Sequence, residues 1–115
     1  MLPFSHRFHG HGSLRYVYKN GQAIRTHTIT IKYTKNPHRA RSRFAVVVSK
    51  KVHKSAVGRN RIRRRIYEIV RHELPKIKSP HDVALMVFSS EVMTQPADEL
   101  KESIIQLFDA SGLYK

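Results

Sequence analysis

Between Thr26 and Thr34 the string THTITIKYT alternates strictly, putting Ile29, Ile31 and Tyr33 on one side and Thr28, Thr30 and Lys32 on the other. A period of two over that length predicts a half-exposed strand. Phe44 to Ser49 is β-branched and predicts another strand, after a basic, turn-rich connection over residues 35–43. The continuous apolar run Val83 to Phe88 predicts a central strand covered on both sides. Three segments follow helical spacing instead. Ser13 is the expected N-cap of a short helix with Leu14, Val17 and Tyr18 on one face, stopped by Gly21. A second helix is expected from near Asn60 to Leu74, with Pro75 marking its end. At about 100° per residue, Ile62, Ile66, Ile69, Val70 and Leu74 share one arc of it. Arg61, Arg64, Glu68 and Arg71 share the opposite arc, with Arg63 and Arg65 on the borders. Thr94 to Ala110 reads as a closing helix, with Pro96 near its first turn, Asp98 and Glu99 at its positive end, and Leu100, Ile104, Leu107 and Phe108 facing the core. The order is α-β-β-α-β-α, with room for one more short strand at Ala23 to Arg25 or Ser89 to Met93, and the class is α+β, a split β-α-β sandwich of two layers. Residues 1–12 read as a flexible basic arm rich in His, and residues 13–115 as one domain.

Charge changes the picture from fold to partner. Residues 1–67 carry 17 Lys and Arg and no Asp or Glu, whereas the remaining 48 carry five basic and eight acidic residues, for a net charge of +14. A domain so unbalanced repels itself unless a polyanion neutralises it. The bias peaks in Ser49-Lys-Lys-Val-His-Lys-Ser-Ala-Val-Gly-Arg-Asn-Arg-Ile-Arg-Arg-Arg65. A charge run is usually a solvated face, but here five Arg fall within seven residues with no acid before them, so neighbours at i, i+3 and i+4 repel. Arg rather than Lys also favours bidentate phosphate contacts and stacking on bases. A helix N-terminus beside Arg59 and Asn60 would add backbone donors for a phosphate.

Other chemistries find less support. The apolar runs are five and six residues long, far short of the roughly 20 that span a bilayer, and the N-terminus lacks a signal-peptide stretch, so no membrane association and a cytoplasmic location are expected. With no Cys there are no disulfides or thiolate sites. His6, His9 and His11 have spacing that suits zinc or nickel, yet no Cys or nearby carboxylate completes a site, which favours the basic arm. Glu68, Glu73 and Asp82 are spaced so that only Glu68 can lie near the Arg cluster, as an ion-pair partner. No acid, base or metal constellation resembles a protein nuclease.

The string VSKKVHKSAVGRNRIRRR resembles the signature of the protein subunit of bacterial ribonuclease P, in which a strand ending in Lys-Lys leads through a variable turn into Arg-Asn-x-x-Arg/Lys-Arg on a helix. Arg7-Phe8 followed by Leu14, Val17, Tyr18 and Gly21 resembles the family's opening helix, His81-Asp82-Val83 the start of its last long strand, and Leu100 to Leu113 its closing helix. Leu14 and Tyr18 stand where many members have Phe, His53-Lys54 replaces a turn that often contains Gly, and Tyr67 stands where some carry another Arg.

The resemblance implies a mostly four-stranded mixed sheet with a left-handed β-α-β crossover, an exception to the usual hand. It implies a catalytic RNA partner that uses magnesium ions, bound mainly by that RNA, to remove the 5′ leader of precursor tRNA, with a polypeptide that is inactive alone, monomeric without RNA, and broadens substrate use by the ribozyme. Lys50, Lys51, Arg59, Asn60, Arg61, Arg63 and Arg64 would touch the catalytic RNA. Leu14, Tyr18, Thr28, Thr30, Lys32 and Tyr67 would line the leader cleft between the first helix and the sheet. A structural RNA-binding protein, such as a ribosomal one, is the competing reading, and a self-sufficient hydrolase using the His cluster is the enzyme alternative.

Overall fold

A computed structural model describes residues 11–36, 41–78 and 80–115. The His arm, apart from His11 and Gly12, and residues 37–40 of the expected basic connection lie outside the described residues. The elements are α1 (His11–Asn20), β1 (Gln22–Arg25), β2 (Ile29–Lys35), β3 (Arg43–Val48), α2 (Ala56–Glu73), β4 (His81–Val87), α3 (Glu91–Thr94) and α4 (Ala97–Ala110), with a 3₁₀ turn at Leu74–Lys76 after α2. The four strands form one mixed sheet in the order β1-β2-β4-β3. β2 runs antiparallel to both β1 and β4, while β3 and β4 are parallel and joined through α2.

The two faces of the sheet are covered unequally. Ile29, Ile31, Phe44, Val46, Val83 and Leu85 point to one face, where they meet Ile62, Ile66 and Val70 of α2 and Leu100, Ile104, Leu107 and Phe108 of α4. Most of the core lies in that layer. On the other face Ala45 and Ala84, alternating with these large residues, form a flat strip on which Val17 of α1 is fully buried and Leu14 half-buried. Small side chains let α1 come close. Gly21 ends α1 with its N–H on the Val17 carbonyl at 2.8 Å, and a β-carbon there would lie 2.6 Å from that oxygen and 2.9 Å from the Tyr33 carbonyl oxygen.

Several expectations are corrected. α1 begins at His11, so Ser13 lies inside the helix rather than capping it. α2 begins four residues before Asn60. Ser55, not Asn60, precedes its first turn, and Ser55 Oγ accepts from the Gly58 N–H at 3.3 Å. Gly58 weakens the helical pattern in sequence but leaves room for the His53 imidazole, which a β-carbon there would displace. The closing helix starts at Ala97 rather than Thr94, since Gln95 is held extended (φ −55°, ψ 137°) before Pro96, and this separates it from the short α3 that ends at Thr94. Of the two candidate short strands, Gln22–Arg25 forms, and the Ser89 to Met93 segment instead leads into α3.

Candidate nucleic-acid interface

The arginines of α2 separate into different jobs. Arg61 and Arg64 are exposed on the arc opposite the buried Ile62, Ile66 and Val70. Arg63, half-buried, donates to Asn60 Oδ1 at 2.7 Å, which fixes one end of its fork and leaves other donors of the guanidinium for a ligand. Arg59 turns back over the preceding loop, its Nη1 donating to the carbonyls of His53 at 3.0 Å and Lys54 at 2.8 Å. Arg65 belongs to the fold. Its Nη1 donates to the Val92 carbonyl at 2.5 Å and its Nη2 to the Gln95 carbonyl, fastening α2 to the segment around α3. Further along, Arg71 binds Glu68 Oε1 at 2.5 Å, and this hydrogen bond holds the Glu68 carboxyl down at about 2. The acid thus pairs with Arg71, one turn along from the Arg59 to Arg65 cluster.

Lys50 and Lys51 are exposed in the turn that follows β3. That turn is closed by Val52 N–H donating to the Ser49 carbonyl at 3.1 Å, and the Ser55 N–H donates to His53 Nδ1 at 3.1 Å. No acidic residue stands in the first turn of α2, so the positive end of its dipole meets a basic loop without compensation. The expected phosphate-binding helix end therefore lies at Ser55 to Gly58, with Arg59 and Asn60 about one turn inside.

The second feature is the part of the sheet that α1 leaves open. Tyr18, 37% exposed, stands at its edge, and burial pushes its phenol pKa up, so the ring is neutral at physiological pH. Lys32 places its ammonium 5.6 Å from the Tyr18 ring centroid and donates to the Tyr18 carbonyl at 3.2 Å. Two of its three N–H donors remain for a ligand. Beyond Lys32 the same face continues through the cross-strand row Arg25, Thr30, Met86 and Val47. Met86 and Val47 are partly exposed; sequence reasoning missed Met86 because its apolar run reads as a strand covered on both sides, and Val47 because a β-branched run does not mark which positions face solvent.

Three of the expected cleft residues are placed differently. Thr28 and Thr30 do face away from Ile29 and Ile31, but at 3% and 4% exposure they are not solvent-facing. β2 is an interior strand, and short side chains between the larger residues of flanking strands are shielded by them. Tyr67 leaves the cleft altogether. It is 5% exposed within the main core, and its hydroxyl accepts from the Val46 N–H at 3.1 Å, covering the outer edge of β3. Leu14, half-buried against Val17, Ala45 and Ala84, holds the helix to the sheet.

At the far end of that face Asp82 accepts from Arg43 Nε at 3.0 Å and Nη2 at 2.8 Å and from Asn36 Nδ2 at 2.8 Å. This buried fork locks the start of the parallel pair, where Arg43 and Asp82 are in register. Among the described residues no group of three or more His, Cys, Asp and Glu could hold a metal ion, and no helix is long and apolar enough to cross a membrane.

A mixed four-stranded sheet, an arginine-ridged helix linking its parallel strands and a short helix on the opposite face together define the fold of the ribonuclease P proteins. The backbone is similar to that of the Staphylococcus aureus RNase P protein, with a TM-score of 0.85 at 19% identity over 96% of this chain and 98% of that one. The Thermotoga maritima RNase P protein gives 0.78 at 20% identity, over 88% and 93%. In sequence, the ribonuclease P protein component of Synechocystis sp. is 30% identical over 112 residues, 97% of this chain and 90% of that protein. That of Prochlorococcus marinus is 35% identical over 97 residues, 75% and 76% of the two chains. The family model for ribonuclease P matches residues 2–111, and the chain belongs to that family.

Proposed function

We propose that this chain is the protein subunit of a ribonucleoprotein that removes the 5′ leader of precursor tRNA, with catalysis residing in its RNA partner. In this reading Lys50, Lys51, Arg59, Asn60, Arg61, Arg63 and Arg64 contact the catalytic RNA, and the open face beside Tyr18 and Lys32 receives the leader as a single strand. Magnesium ions held mainly by the RNA supply the metal chemistry of phosphodiester hydrolysis. The polypeptide binds, orients and neutralises phosphates, acts in the cytoplasm and is monomeric without RNA.

The observation that carries the reading is the Tyr18 and Lys32 pair, 5.6 Å from ring to ammonium, at the border of an otherwise uncovered stretch of sheet. A neutral ring offers a π-face to any base and the adjacent cation follows the backbone, the combination used for single strands of variable sequence. Family membership makes an RNA the partner.

The decisive experiment incubates purified protein with precursor tRNA, with and without cognate catalytic RNA. Cleavage is expected only with the RNA. Cleavage by the polypeptide that survives nuclease treatment would establish a protein nuclease instead, and no effect on the RNA's activity would leave a structural RNA binder.

A further inference from the structure

The open face carries an aromatic that the leader reading leaves unused. Phe88 is 62% exposed, more than Tyr16 at 56% or Tyr18 at 37%. It follows the last residue of β4, yet its N–H still donates to the Thr28 carbonyl at 2.8 Å, so pairing with the neighbouring chain continues and its backbone is held. Val83, Leu85 and Val87 point into the core, so strand alternation turns Met86 and Phe88 towards the face that carries α1. Lys32 is cross-strand from Ala84, and Phe88 lies four residues further along. At ~3.3 Å per residue that separation is about 13 Å, the span of a few nucleotides.

Resting on the reading of this face as the leader's cleft, we infer that Phe88 is a second stacking residue, so that the leader is held at two aromatic points joined by a cationic floor. The surroundings select a nucleic acid over an apolar protein segment. Val48 pairs with Val87, so the chain continues beside Phe88 into Ser49 and the exposed Lys50 and Lys51. Arg25 and Lys32 lie on the stretch between Phe88 and Tyr18. The carboxylate of Glu91, three residues on from Phe88, is faced by His27 at 3.9 Å. An exposed ring bordered by cations, with Met86 and Val47 only partly exposed beside it, fits one base and its neighbouring phosphates, whereas a peptide groove would need a wider contiguous apolar surface.

The test uses holoenzyme reconstituted with its cognate RNA and precursor tRNAs whose leaders are lengthened one nucleotide at a time. Tyr18→Ala and Phe88→Ala should each weaken binding roughly tenfold, with onsets at leader lengths that differ by a few nucleotides. Phe88→Trp should bind as tightly as the native protein, and Phe88→Leu should lose affinity like Ala, since stacking and not bulk is at issue. If Tyr18→Ala responds to leader length while Phe88→Ala is silent at every length, or if both onsets coincide, or if Phe88→Leu binds like the native chain, the second stacking point is wrong and the cleft reading stands. If neither variant responds to leader length, the cleft reading itself fails and the inference with it. An equal loss for mature tRNA would assign Phe88 to another partner and overturn the inference.

Discussion

The Lys32 ammonium donates to the carbonyl oxygen of Tyr18 at 3.2 Å while standing 5.6 Å from the same residue's ring centroid. One side chain of β2 therefore fixes both the end of α1 and the tilt of its exposed aromatic. Because the ring is oriented before any ligand arrives, Tyr18→Ala should cost about 1 to 3 kcal/mol of affinity for leader-bearing precursor tRNA. Mature tRNA should bind the assembled complex unchanged. Titrating both RNAs against holoenzyme checks this, and equal losses would return Tyr18 to a purely structural role.

Arg61 and Arg64 are exposed, with the apolar arc of α2 intact behind them. Replacing both with Ala should leave the melting temperature unchanged or slightly higher, as like-charge repulsion is relieved. Assembly with the catalytic RNA should weaken. If about five or six basic residues meet phosphates, log K against log salt has a slope of roughly −4 to −5, and the double variant should flatten it by about 1 to 2. An unchanged slope would mean that these side chains are merely solvated.

Arg65 should behave in the opposite way. Removing it leaves the Val92 and Gln95 carbonyls without their donor and loosens the α3 segment against α2, a loss of about 1 to 3 kcal/mol. Denaturant unfolding of Arg65→Ala measures it. The salt slope of RNA binding should stay that of the native protein.

Tyr67→Phe keeps the ring in the core and deletes the acceptor for the Val46 N–H. Stability should fall by about 1 kcal/mol. Affinity for the leader should not change, which would confirm that this residue guards a sheet edge and does not line the cleft.

The Glu68 carboxyl should titrate near 2, well below the ordinary carboxylate range, because Arg71 hydrogen-bonds its charged form. A depressed folded-state pKa contributes stability above the unfolded value, and that contribution disappears as pH falls from about 4.5 towards 2. The pair is exposed, so the effect on stability is small. NMR titration of Glu68 gives the midpoint directly, and Arg71→Ala should move it upwards, towards the usual range.

Much of this was legible in residues with strict periodicity. The alternation of Ile29 and Ile31 and the arc of Ile62, Ile66 and Val70 were enough to assign β2 and the buried face of α2, because one face of each must be removed from water. Periodicity reports direction but not depth, which is why Thr28 and Thr30 were expected to be exposed on a strand that proves interior. The start of α2 was obscured by Gly58, whose small size answers to the His53 ring and not to helix propensity. Arg65 looked like its neighbours in sequence. Only the position of the α3 segment, a contact 27 residues away along the chain, shows that this residue on the border of the arcs is a clasp.

The loop between β3 and α2 is tied by Arg59 to two of its own carbonyls, by the Ser55 N–H to the His53 ring and by the Ser55 cap. Its ordering entropy is thus spent during folding of the protein, before RNA is met. A basic loop that arrives already shaped can capture its partner at a rate governed by long-range attraction rather than by a search through loop conformers.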